Sequence, residues 1–300
     1  MDCIFNVGFY KGKGIWGMDF KDKLVLITGG SSGIGLTIAC QLAALGADIW
    51  ILARDCEKLE KAEAQIKAAR RSSEQRTGYL SVDVADRTRV TEILRQWTSE
   101  VGTPDLVFNC AGIVEPGYVE DQGEEIYRHQ MDVDFFGILH VILAVLPGMI
   151  KRHSGHFINM SSGAGLVGWY GYTVYGSTKF AVRGLSEHLR TELKPYGIKV
   201  SVVFPFDTKT PQLVYDDLHK PPETKALSSL IGTPFEPEFI AKTIIKGVSK
   251  GSFYIIPGFE IKVLYFLYSA FPWLMLPVLD YLVNIALNRT HSTRRKLAQS

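Results

Sequence analysis

Tyr175 and Lys179 stand four residues apart in "YGSTK", inside a run whose apolar spacing reads as a helix, so both side chains project from one helical face. A phenol titrates near 10, and using it as an acid-base group near neutrality requires stabilising its anion by about 3 to 4 kcal/mol. An ammonium fixed one helical turn away supplies that sign of effect. Taken alone the pair is a weak signal, because Tyr and Lys often share the solvated face of a helix. Upstream, "NMSSG" closes an apolar run, and strand alternation turns Ser161 and Ser162 to opposite sides, so one of the two faces a site at the strand end.

A second constellation lies near the N-terminus. "TGGSSGIG" (28–35) follows the short β-branched run "KLVLIT" and opens a helical stretch. Glycines at 29, 33 and 35 let a pyrophosphate approach the backbone, with Ser31, Ser32 and Ile34 between them and a helix N-terminus favouring the negative charge. The spacing is not GxGxxG, and "GGSSG" also satisfies GxSxG with Ser31 as a nominal nucleophile. A hydrolase elbow sits several strands into its sheet, whereas only one strand can precede residue 29. The nucleotide reading is therefore preferred to an esterase.

The elements that must carry these residues alternate along the chain. Strand-like runs at 23–28, 47–53, 78–83, 105–112, 156–162 and 198–204 are separated by helical patterns at 55–71, 86–101, a long stretch ending near 150, and 173–195. Apolar strands alternating with helices predict an α/β, Rossmann-type doubly wound parallel sheet with helices on both faces. After Pro205 the prolines and charges of 206–232 predict a mobile loop over a site. A further helix (237–250) and strand (252–256) complete a domain over 22–258, flanked by an N-terminal arm (1–21) and an apolar C-terminal segment (259–300).

Together the TGxxxGxG turn, "NCAG" (109–112), the serine and the Tyr-xxx-Lys core resemble the short-chain dehydrogenase/reductase family, over residues 22 to 257. The resemblance implies that Tyr175 exchanges the carbonyl proton. It makes Lys179 the group that lowers the tyrosine's pKa and binds the nicotinamide ribose. It makes Ser162 the hydrogen-bond partner of the carbonyl, with Ser161 as the fallback. It places Asp83 and Val84 at the adenine, Asn109, Ala111 and Gly112 along the middle of the cofactor, and Pro205, Thr208 and Thr210 toward the nicotinamide.

Two positions depart from the family pattern. Asp134 stands where a catalytic Asn is usual, an exchange tolerated if the relay water is held by that residue's backbone carbonyl, and Phe206 replaces a Gly. With "PFDTKTP" and "KPPET", the second departure narrows the resemblance to a branch that reduces the ketone of a long-chain sphingoid precursor. A reductase of another hydrophobic ketone or alcohol, such as a steroid, retinoid or acyl chain, is the runner-up. A nucleotide-binding scaffold that has lost catalysis stands behind it.

The second strand ends in Ala53 and Arg54 rather than an acidic residue. Arg54 can grip a 2′-phosphate bidentately, with Lys58 one turn on, so NADP(H) is expected rather than NAD(H); Asp55 is the competitor for the NAD role.

Composition removes other classes. Thirty-three basic against 31 acidic residues give +2 with no long basic run outside the tail, which disfavours nucleic acid. Cys3, Cys40, Cys56 and Cys110 have no metal-ligand spacing and suit a reducing compartment, and His153 and His156 read as a solvated turn, so no metal is expected.

Residues 263–279 carry no charge but contain Pro272 and Pro277, and Asp280, Asn284 and Asn288 recur every four residues before a basic end. The segment is expected to lie on a membrane surface rather than span it, on the cytosolic face of the endoplasmic reticulum in a eukaryote or of the inner membrane in a bacterium. Packing on the catalytic domain or in a homodimer or homotetramer is the competing reading.

Overall fold

The computed structural model describes residues 17–297. The first half runs β1 (Leu24–Thr28), α1 (Gly33–Ala44), β2 (Asp48–Ala53), α2 (Cys56–Ala69), β3 (Thr77–Ser81), α3 (Arg87–Glu100) and β4 (Leu106–Asn109). It continues through α4 (Glu124–Met131), a π-helical turn (Asp132–Phe136), α5 (Gly137–Arg152), β5 (Gly155–Met160), α6 (Thr173–Glu192) and β6 (Ile198–Val203). The last elements are α7 (Pro211–His219), α8 (Pro222–Ile231), α9 (Pro237–Ser249), β7 (Tyr254–Ile255), α10 (Phe259–Ala270) and α11 (Pro272–Leu297).

The strands form one parallel sheet in the order β3-β2-β1-β4-β5-β6-β7. β1 and β4 are buried at every position, which is why they read as unbroken apolar runs rather than as alternating patterns. Helices α1, α2 and α9 close one face through Ile38, Leu42, Leu59, Ile66 and Ile244, and α3, α5 and α6 close the other through Val90, Leu94, Val141 and Val182. The winding reverses between β1 and β4, which leaves a crevice at their carboxyl ends. Register keeps those ends level, because Thr28 pairs with both Leu52 and Asn109, and Asn109 pairs with Asn159.

Most of the expected N-terminal arm lies outside the described residues. At its end Met18 donates its backbone N–H to the Ser249 carbonyl and Phe20 is buried in the core. The expected mobile loop over 206–232 is corrected: it contains two helices, α7 and α8, each opening on a proline at its start. A proline there forfeits no intrahelical hydrogen bond and presets φ, so Pro211 and Pro222 start helices where the sequence suggested a break.

The C-terminal segment forms two helices that meet at Phe271. One face packs inward, with Ile261, Tyr265, Tyr268 and Leu279 against Leu166, Phe204 and Ile256, and α11 lies along α8. The opposite side leaves Phe271, Trp273, Leu274, Leu276 and Tyr281 exposed, and Asp280, Asn284 and Asn288 are exposed as well. The segment therefore packs on the catalytic domain through one face and leaves apolar side chains exposed on the other. Among the described residues, the one run long and apolar enough to cross a membrane is Glu124–Arg152, and its Val133, Val141, Ile142 and Val145 are buried beneath the sheet face that it covers.

His156 ties β5 to β6. Its Nε2 lies 2.7 Å from Ser201 Oγ, which donates to the Ser252 carbonyl, and burial pushes the imidazole down to about 3 from 6.5. The folded state therefore holds this side chain neutral while the unfolded chain protonates it. The resulting stability is complete above pH 6.5 and is lost progressively as pH falls toward about 3. Urea unfolding should show a loss of roughly 2 kcal/mol between pH 7 and pH 5 from this group, and His156→Asn should flatten that slope; an equally steep slope in the variant would show that other groups set it.

Candidate active site

The glycine turn is built by close backbone approach. Gly29 adopts φ +64°, and a Cβ there would lie 2.8 Å from Ala111 N; a Cβ on Gly35 would lie 2.4 Å from the Gly29 carbonyl oxygen. Gly33 adopts φ +53° and faces Thr210. Any side chain at 29 or 35 would push β1, α1 and the β4 loop apart, so these glycines hold the crevice at its width. Ser32 caps the start of α1 in an extended conformation, which leaves the helix N-terminus open to the crevice.

A cavity of about 650 Å³ runs from this turn across the carboxyl ends of β1, β4, β5 and β6. Gly29, Ser31, Ser32, Gly33, Ile34 and Gly35 line one end, with Arg54, Lys58, Asp83 and Val84 at its edge. Ala111, Gly112, Pro205, Thr208 and Thr210 line the middle, and Ser161, Ser162, Tyr175 and Lys179 stand beyond them. A cleft with a glycine floor, a helix N-terminus and two edge cations fits a dinucleotide carrying phosphates.

Two expected residues are outside the cavity. Asn109 is fully buried and donates through Nδ2 to Asn159 Oδ1 at 2.8 Å, so it braces β4 against β5 rather than lining the cofactor cleft. Asp134 is also fully buried and does not reach the cavity; it acts only through its neighbours.

The two serines separate as strand alternation requires. Ser161 donates its hydroxyl to the Lys179 carbonyl oxygen at 2.8 Å, which locks β5 to α6 and removes it as a carbonyl partner. Ser162 accepts from Ala164 N and lies near enough to the Tyr175 phenol to pull its pKa down. The Phe206 ring occupies the space that a Cβ on Gly163 would need, so the residue that departs from the family's Gly forms the wall beside Ser162.

Lys179 is buried, with Nζ 5.3 Å from the Tyr175 ring centroid and 3.2 Å from Asp134 Oδ2. Burial pulls the ammonium's pKa down, but Asp134, with Tyr175 and Cys110 adding, carries it above its ordinary value. Tyr175 is raised, chiefly by burial; Lys179 and Ser162 pull it down, and Asp134 and Asp216 push it up. The lysine thus acts on the phenol with the expected sign, while burial outweighs it and keeps the phenol protonated. A protonated phenol beside a serine hydroxyl can donate a proton to a carbonyl oxygen held by both.

Several site residues carried no sequence signal. Tyr172 donates to both Asp216 oxygens, at 2.9 and 2.7 Å, and its ring lies 5.8 Å from that of Tyr175. The Tyr172–Asp216 bond ties α7 over the reacting end of the cavity, and Asp216 also meets Lys220 Nζ at 3.1 Å at the end of the same helix. The carboxylate and ammonium sit one turn apart in a stretch that read as a loop, so their pairing became visible only with the helix.

A sequence family described as short chain dehydrogenase matches residues 23–218. The chain belongs to that family. A 3-dehydrosphinganine reductase of Danio rerio is 38% identical over 230 residues, 76% of this chain and 69% of that protein. A 3-ketodihydrosphingosine reductase of Dictyostelium discoideum is 36% identical over 295 residues, covering 91% and 88%. Among solved structures, a short-chain dehydrogenase from Sphingobium yanoikuyae in complex with NADPH is similar with TM-score 0.71 at 25% identity, over 84% of this chain and 94% of that one.

Exchange of the two serines should separate their roles. Ser162→Ala should lower kcat for ketone reduction by about 10²-fold or more, whereas Ser161→Ala should lower Tm and leave kcat within a few-fold. Steady-state assays with thermal melts check this, and equal kcat losses in both variants would contradict the assignment.

Proposed function

We propose that the chain reduces the ketone of 3-ketodihydrosphingosine to the secondary alcohol, with NADPH as reductant. The observation that carries the reading is the Ser162, Tyr175 and Lys179 cluster inside a chain 36–38% identical to reductases named for that substrate.

The bound nicotinamide supplies a hydride to the carbonyl carbon. Ser162 and Tyr175 orient the carbonyl oxygen, Tyr175 donates its phenolic proton to that oxygen as the C–O bond becomes single, and Lys179 stabilises the phenolate left behind. Gly29, Gly33 and Gly35 would hold the pyrophosphate, and α7 would shield the reacting centre from water.

Arg54 supports the choice of NADPH. It is largely exposed at the cavity edge with Asp83 3.7 Å away, and Lys58 is exposed beside it. The competing Asp55 carboxylate also lines the cavity, but it accepts the Lys58 backbone N–H as the cap of α2 and pairs with Lys58 Nζ at 3.3 Å. Arg54→Ala should raise the KM for NADPH about tenfold or more and change that for NADH far less; equal effects on both cofactors would remove the 2′-phosphate role.

The long alkyl tail of such a substrate needs an apolar exit. The cavity reaches Leu227 on α8, Phe235, and Ile261 on α10, next to the helices that expose Trp273, Leu274 and Leu276. These residues, followed by Arg289 and the basic end of the chain, suit attachment to the surface of an anionic bilayer on the cytosolic side. Replacing Trp273 and Leu276 together by Glu should abolish co-sedimentation with phosphatidylserine vesicles; undiminished co-sedimentation would move the attachment elsewhere.

The decisive assay is purified full-length chain with NADPH and 3-ketodihydrosphingosine. Stoichiometric NADPH oxidation and dihydrosphingosine formation are expected. No turnover of it alongside turnover of a steroid or retinoid ketone would replace the substrate assignment.

A further inference from the structure

Asp134 carries a charge that the proton transfer itself does not use. Its carboxylate is fully enclosed by four groups. It accepts Ile113 N–H at 2.8 Å and Thr178 Oγ1–H at 3.2 Å, lies 3.4 Å from Gln130 Nε2, and meets Lys179 Nζ at 3.2 Å. The π-helical turn presents it to α6, where the ammonium has the carboxylate at 3.2 Å and the centroid of the phenol ring at 5.3 Å. Gly112 makes room for this, since a Cβ there would lie 3.0 Å from Asp134 Oδ1 and 3.2 Å from Lys179 Nζ.

We propose that Asp134 is a positioning residue that acts through Lys179: its carboxylate anchors the ammonium and neutralises part of its field, so that Tyr175 remains a proton donor to a higher pH. The inference rests on the reading of Tyr175 as the proton donor in ketone reduction, and not on which ketone is reduced.

The charge arithmetic around the phenol favours this. Lys179 on α6 is the cation facing Tyr175, while Asp134 from the π-helical turn and Asp216 from α7 face it as anions, with Ser162 and Tyr172 as neutral partners. Cys110, from the loop after β4, adjoins Lys179 with its thiol pushed up to about 12 by burial, so it adds no anion near neutrality. With Asp134 in place the ammonium's charge is matched at 3.2 Å, closer than the phenol ring stands to it. A neutral side chain at 134 would leave the whole field of Lys179 to act on Tyr175, and would also remove the group that holds the ammonium charged. The first change brings the alkaline loss of the phenolic proton to lower pH, and the second opposes it only above the pH at which the ammonium itself discharges.

An amide can occupy the position without a steric change. Its oxygen can keep the Ile113 N–H, and its NH₂ can turn toward Thr178 Oγ1, which still donates to the Tyr175 carbonyl at 2.8 Å, while Lys179 Nζ loses the acceptor it meets at Oδ2. Gln130, whose Nε2 also reaches the Ile113 carbonyl, presents an amide that can face the new donor with its own oxygen.

The test is the pH dependence of kcat/KM for ketone reduction at saturating NADPH, from pH 6 to 10.5, for the native chain and Asp134→Asn. The alkaline limb should move down by about one pH unit in the variant, while the KM for NADPH changes far less. An unmoved limb, or one that moves up, overturns the proposal. Should the amide variant not fold, Asp134→Ser carries the same expectation. A substrate-independent reading comes from tyrosinate absorbance with NADP⁺ bound, taking Tyr175→Phe as the blank in each background. A lower Tyr175 midpoint in the Asp134→Asn background supports the proposal even if 3-ketodihydrosphingosine proves not to be the substrate, and an equal or higher midpoint overturns it.

Discussion

A buried ammonium is the constraint around which this molecule is arranged. Lys179 has almost no access to solvent, and an unpaired charge in that position would cost several kcal/mol. The Asp134 carboxylate offsets that cost at 3.2 Å, and the centroid of the Tyr175 ring lies 5.3 Å from the ammonium. For the pair to meet, α6 must present Lys179 toward the sheet, the π-helical turn must present Asp134 toward α6, and residue 112 must have no side chain. Ser161, by bonding the Lys179 carbonyl, fixes the helix to β5 so that Ser162 falls beside the phenol.

The sheet supplies the level on which these parts meet. Because β1, β4 and β5 end in register, the glycine turn, the "NCAG" loop and the serine pair open onto one crevice. The side chains that run through the sheet interior at that height, Asn109 to Asn159 to Ser186, form a hydrogen-bonded brace that keeps those ends together. The glycine turn and the Tyr175 phenol are therefore two ends of a single cavity.

Past β6 the chain folds over the cavity that the sheet opens. Helix α7 covers the reacting end through the Tyr172–Asp216 bond, α8 is held beside it by Thr224 donating to the Tyr170 carbonyl, and α11 lies against α8 with an apolar outer side. The lid is thus packed between the active site and the surface proposed to meet lipid. A substrate entering from that side would pass Leu227 and Ile261 before it reaches Tyr175.

Local patterns were enough to read much of this. The parallel sheet, the glycine turn and the Tyr175–Lys179 pair follow from apolar runs and from spacing, because fully buried strands, tight backbone approach and helical periodicity each leave a short-range mark. Helices α7 and α8 were misread because Pro211 and Pro222 signal a helix start as well as a break, and only the flanking turns distinguish the two. The choice between Ser161 and Ser162 was narrowed by alternation but decided by which hydroxyl found the Lys179 carbonyl. Asn109 and Asp134 carried family roles in the sequence and proved to lie behind the cavity, since burial depends on residues distant in the chain. The ion pair between positions 134 and 179 belongs to the packing of the π-helical turn on α6, a contact that no local pattern encodes.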